Sequence, residues 1–146
     1  MEEALEHVNG AIILATKNNC LQPSLIKQQS IIKSKLAGLL HQNGNHTDAN
    51  FLENDALKSL NQLLHNFPDY PEGYLEAAEV ALNKYRWSLQ KVLNNLGKAE
   101  YYFVKPKHTK HLPDATNELP SYLARIDQMR SLVNQLLLIT TSASSF

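Results

Sequence analysis

The chain has 146 residues, 43% of them hydrophobic, and its 14 basic and 14 acidic side chains give a formal charge of zero at neutral pH. That length suits one ordinary domain, able to bury roughly 70% of the surface its unfolded chain exposes. The charge balance excludes the global basic excess by which nucleic-acid binders release counterions from phosphate. Five glycines are too few for a turn-rich all-β design, and no apolar run approaches the roughly 20 residues of a bilayer span.

The one cysteine, Cys20, rules out an intramolecular disulfide. Met1-Glu2-Glu3 is acidic where a secretory leader carries basic residues, so the expected home is cytoplasmic.

Helical periodicity begins at once. Ala4, Leu5, Val8, Ile12 and Ala15 recur at steps of three and four over residues 3–19. Leu21-Gln22-Pro23 breaks this first helix, and Pro23 suits the opening turn of the next, where its missing N–H is no loss. The second helix carries Leu25, Ile26, Ile32, Leu36, Leu39 and Leu40 and stops at Asn43-Gly44-Asn45. Thr47 or Asp48 is the expected N-cap of a third, with Phe51, Leu52, Ala56, Leu60, Leu63 and Leu64 on its apolar face.

Phe67-Pro68-Asp69-Tyr70-Pro71 ends that helix and Pro71 starts a fourth, bearing Tyr74, Leu75, Ala77, Ala78, Ala81 and Leu82. After a break at Lys84-Tyr85-Arg86 a fifth follows with Leu89, Val92, Leu93, Leu96, Ala99 and Phe103. Residues 104–119 read as a loop containing Pro106, Pro113 and the basic run Lys105 to His111. Pro120 opens a final helix, about 120–140, striped by Leu123, Ile126, Met129, Leu132, Val133, Leu136 and Leu137, with a frayed tail from Thr140. No stretch alternates with period two for long enough to be a strand. The expected fold is all-α: antiparallel helical hairpins in a single helical domain, 1–146.

Ala56, Leu60, Leu63 and Pro68, followed by Pro71, Tyr74 and Ala77-Ala78, keep steps that resemble the tetratricopeptide (TPR) repeat over about residues 31–103. The phrase Asp69-Tyr70-Pro71-Glu72-Gly73-Tyr74-Leu75-Glu76-Ala77-Ala78 carries the resemblance most clearly, whereas Tyr85 and Leu89 depart from the register. The resemblance implies an α–α superhelix of stacked hairpins, with the last helix as its cap and a concave wall formed by the first helix of each hairpin. It places Glu72, Leu75, Glu79, Leu82 and Asn83 on that wall, with Lys35, Leu39 and Gln42 from an earlier hairpin. A groove of that mixed character suits a peptide or helix segment of another protein. The basic clamp by which some TPR proteins hold a terminal carboxylate is not reproduced, since Lys35 is the sole cation at those positions. A degenerate last repeat before a long helix is also similar to the small TPR chaperones of bacterial secretion systems.

Chemistry-bearing residues point away from catalysis. His108 and His111, with Asp114 and Glu118 nearby, have a metal-like spacing, but Lys105, Lys107 and Lys110 among them would repel a cation, and a solvated loop is the preferred reading. His41, His46 and His65 lie near helix ends, where imidazoles meet terminal carbonyls. Cys20 lacks a partner base, and neither a nucleophile elbow nor a phosphate loop occurs. Glu72, Glu76 and Glu79 at the start of a helix read as dipole partners. Tyr101, Tyr102 and Phe103 before the basic run extend a core stripe rather than a nucleic-acid platform. Trp87 is read as a buried anchor in preference to an exposed hot spot.

The sequence therefore predicts a non-enzymatic adaptor or chaperone-like module, without cofactor or metal, without a membrane span and without affinity for nucleic acid. Its partner would be another protein, with homo- or hetero-oligomers open. The alternative is a structural subunit of a larger assembly that has no separate ligand.

Overall fold

The computed structural model describes residues 2–18, 22–82, 89–104 and 118–144, the side chains of 140–144 aside. Every regular element among them is an α-helix: α1 (Glu2–Lys17), α2 (Pro23–Gln42), α3 (His46–Asn66), α4 (Pro71–Leu82), α5 (Leu89–Val104) and α6 (Leu119–Ser144). The all-α expectation holds. Where the sequence suggests one domain, the helices gather into two compact units, Met1–Pro68 and Asp69–Phe146. The boundary falls at the proline-bracketed segment 67–71, whose two prolines forbid a continuous helix.

In the first unit α2 and α3 form an antiparallel hairpin. Its turn is a Schellman motif: Asn45 N–H reaches Leu40 C=O at 2.8 Å and Gly44 N–H reaches His41 C=O at 3.1 Å. This geometry needs a left-handed residue, and Gly44 supplies it at φ +80°. The cap of α3 is Asn45 rather than Thr47 or Asp48: its side chain accepts from Asp48 N–H at 3.4 Å, so the helix starts earlier than expected.

The face α2 buries is also displaced from the expected one. Lys27, Ser30, Lys33 and Ala37 are buried, while Leu25, Ile26, Ile32, Leu36 and Leu40 are half-covered and Leu39 is exposed. The reason is that α2 has neighbours on two sides, α1 and α3. Its buried line mixes small residues, Ser30 and Ala37, with the stems of Lys27 and Lys33, and its large apolar side chains flank that line. Buried Lys33 survives by donating to Asp55 on α3. The helix α1 is held more loosely. Only Ala15 is buried on it, and Gln29 donates to Asn9 at 2.6 Å across the α1–α2 contact.

In the second unit α5 presents an almost ideal stripe. Val92, Leu96, Ala99 and Phe103 are all buried at steps of four, three and four. Phe103 stacks on Tyr122 of α6 with centroids 4.8 Å apart, and Arg130 of α6 donates to Glu100 of α5 at 3.0 Å. The inner line of α6 is Ile126 and Val133, and the helix runs on through Ser144 instead of fraying at Thr140. Leu132 and Leu136, expected on that line, are 45% and 36% exposed, because the covered stripe of α6 is narrower than the apolar one. The short helix α4 is buried on nearly every side, from Pro71 to Ala78 and again at Val80 and Ala81. Gly73, Ala77, Ala78 and Ala81 keep it thin enough for close neighbours.

Candidate partner-binding groove

The α4 wall is where the structure corrects the sequence most. Glu72 and Leu75 are fully buried at 0% exposure, so no ligand reaches them in the folded chain. Glu79 is engaged by Arg125 of α6 at 2.5 Å, and the same guanidinium donates to Glu76 at 3.3 Å. Leu82 is half-buried, and Asn83 lies outside the described residues. The periodicity of α4 shows an apolar face and a polar one, but Glu76 and Glu79 serve an intramolecular pair. Their neighbour Arg125 lies about fifty positions further along the chain, beyond any local signal.

Of the α2 positions, Lys35, Leu39 and Gln42 are exposed. They belong to the first unit and the α4 positions to the second, so each set stands in its own unit. Residues Cys20, Trp87, His108, His111 and Asp114, and the run Lys105 to His111, lie outside the described residues.

Among the described residues of the second unit, α5 carries a concave surface. A groove of about 410 Å³ is lined by Leu93, Asn94, Gly97, Lys98, Tyr101 and Tyr102. These positions follow i, i+1, i+4, i+5, i+8, i+9, which is one face of a helix, opposite the buried stripe. Gly97 forms the floor. A Cβ built there meets nothing within 4 Å, so the space above this residue is open.

The walls are braced from α4. Tyr102 stacks on Tyr74 with centroids 5.9 Å apart and planes 13° from parallel. The Lys98 ammonium lies 5.6 Å from the centre of the same Tyr74 ring, within cation–π range. Tyr101 meets Tyr102 edge-on at 5.0 Å and is itself exposed. The sequence places Tyr101 and Tyr102 with Phe103 in the core stripe. The stripe takes Phe103, Tyr101 is exposed and Tyr102 lies half-buried against Tyr74, because a helix cannot point three consecutive side chains the same way.

Burial raises the Tyr74 phenol above its ordinary value of 10.0, helped by Tyr102 and Asp69. The fold therefore prefers the neutral phenol. Its contribution to stability is complete below pH 10.0 and is lost as pH rises through the folded-state value. Denaturant titrations of wild type and Tyr74→Phe should show the wild type losing more stability above that pH.

At the other end of the chain, His41 and His46 bracket the α2–α3 turn. His41 Nε2 lies 2.6 Å from Glu53 Oε1, and its Nδ1 lies 2.8 Å from His46 Nδ1. With ring centroids 5.0 Å apart the two Nδ1 atoms point almost straight at each other. One ring donates and the other accepts, which leaves room for a proton and not for a metal ion. Among the described residues no three His, Cys, Asp or Glu side chains are grouped to hold a metal. No described helix is long and apolar enough to cross a membrane.

No family model matches the chain, and no curated protein and no solved structure matches it either.

Proposed function

We propose that this protein is a non-catalytic protein-interaction module that seats a segment of its partner along α5. The observation that carries this reading is the open hollow over Gly97, walled by tyrosines that α4 holds in place. A glycine inside a helix costs about 1 kcal/mol relative to alanine, and here the missing side chain leaves a surface into which another backbone can settle. Rigid aromatic side chains beside such a hollow are common anchors in protein interfaces. The burial of Ala56, Ala77, Ala78 and Ala99 at helix contacts supports closely packed helical hairpins as the frame of such a module; the TPR-like and chaperone-like form would place its partner on α4, and the α5 groove departs from it.

The test is to fill the groove. Panning a displayed library of random peptides on the intact chain should retain a pool that binds wild type and not Gly97→Leu. Because space surrounds the new Cβ, Gly97→Leu should melt no lower than wild type. A pool that binds both proteins equally, or an empty pool, would remove the α5 groove as the binding site.

A second reading, the structural subunit, rests on α6. From Ser131 to Ser144 this helix carries no charge, and Leu132, Leu136, Leu138 and Ile139 are 45%, 36%, 68% and 65% exposed. An apolar helix end of this kind is what a permanent assembly covers. An obligate oligomer in light scattering at micromolar concentration would favour it over the first.

A further inference from the structure

We infer that the α5 groove selects an acidic ligand, specifically a helical segment that sets a carboxylate against Lys98 and an apolar side chain against Leu93 and Tyr101. This rests on the reading of the groove as a binding site and adds the chemistry of its occupant.

Three observations give the direction. The groove residues offer donors and a cation but no acid: Leu93, Asn94, Gly97, Lys98, Tyr101 and Tyr102. The one carboxylate of α5, Glu100, is turned the other way, towards Arg130 at 3.0 Å. Lys98 sits near the Tyr74 ring and, among the described residues, on no carboxylate, so its ammonium is at the groove edge with its charge open to an anion.

Asn94 strengthens the same edge. Gln90 donates to its side-chain carbonyl at 3.3 Å, which leaves the Asn94 amide hydrogens as the outward donors. Asn94 and Lys98 are four residues apart, so their side chains rise side by side from one helical face. A pair of donors of this kind, one of them charged, fits the two oxygens of an Asp or Glu side chain.

The shape selects the backbone. The lining runs straight along α5, a helix of 16 residues and so about 24 Å long. A second helix packs on such a surface at an axial distance set by the side chains between them. The missing Cβ at Gly97 brings that distance to its minimum at the middle of the groove. An acidic amphipathic helix meets all three conditions: a carboxylate for the Asn94–Lys98 edge, a small residue over Gly97 and an apolar side chain beside Tyr101.

The experiment reads the composition of the peptide pool retained on wild type and lost on Gly97→Leu. That pool should be enriched in Asp and Glu, and its members should bind more weakly as salt is raised. Individual peptides should lose roughly tenfold or more in affinity for Lys98→Glu, the equivalent of about 1.4 kcal/mol, and should keep most of it for Lys98→Arg. Replacing each acidic residue of a retained peptide by its amide should cost affinity on wild type and none on Lys98→Glu. A groove-dependent pool without acidic enrichment, or one indifferent to Lys98→Glu, overturns the inference while leaving the groove as a binding site. A pool indifferent to Gly97→Leu overturns both.

Discussion

Leu75→Asp is expected to unfold the second unit rather than to block a ligand. The side chain is fully buried on a helix that is itself buried on nearly every side. Truncation to alanine at such a site costs about 2–5 kcal/mol, a large share of the 5–15 kcal/mol by which domains are stable. An aspartate adds the cost of taking a carboxylate out of water, which at a fully buried site is several kcal/mol more. Helical circular dichroism of Leu75→Asp should fall well below wild type at room temperature, and Leu75→Ala should show a clearly lower unfolding midpoint. A Leu75 on an open groove wall, where the TPR resemblance places it, would instead leave the helices intact. A well-folded Leu75→Asp would mean that α4 is more open than the structure shows.

The second large effect is expected at Phe103. Its ring is 1% exposed, ends the buried stripe of α5 and stacks on Tyr122 of α6. Phe103→Ala should lower stability by about 3–5 kcal/mol, the transfer and cavity terms of a buried phenylalanine together. The loss has a location. Hydrogen exchange should speed up first in the opening turns of α6, where Tyr122 would lose its aromatic neighbour, and least in α2 and α3. Phe103→Leu keeps most of the volume and should recover more than half of the loss. Uniform acceleration over all six helices would show that the stack does not tie α5 to α6.

Both predictions concern residues whose importance the sequence registers without saying what kind it is. The pattern at Val92, Leu96, Ala99 and Phe103 identifies a buried line because one neighbour dominates that face of α5, and a single covered face leaves a clean helical period. The helix α4 gives no such contrast. Its buried positions go round the whole circumference, so Glu72 and Leu75 look like one side of an amphipathic helix while both are inside. The groove was hidden for a related reason. Gly97 in a helix looks like a small defect in propensity, and Tyr101-Tyr102-Phe103 looks like one aromatic block. Only the packing of α5 shows that Phe103 enters the core, Tyr102 leans on Tyr74 and Tyr101 faces out.

What the sequence determines by itself is local. The six helices, the stops at Gly44 and at the proline-bracketed segment 67–71, and the absence of long alternating stretches follow from backbone geometry and periodicity, which act within a few residues. What the tertiary structure decided is which face of each helix is spent inside the fold: Ser30 and Ala37 rather than Leu39, Glu79 on Arg125 rather than on a ligand, and a hollow on α5 rather than a wall on α4. Those choices depend on helices that meet after long separations in the chain, and a side chain's chemistry does not reveal which neighbour will cover it.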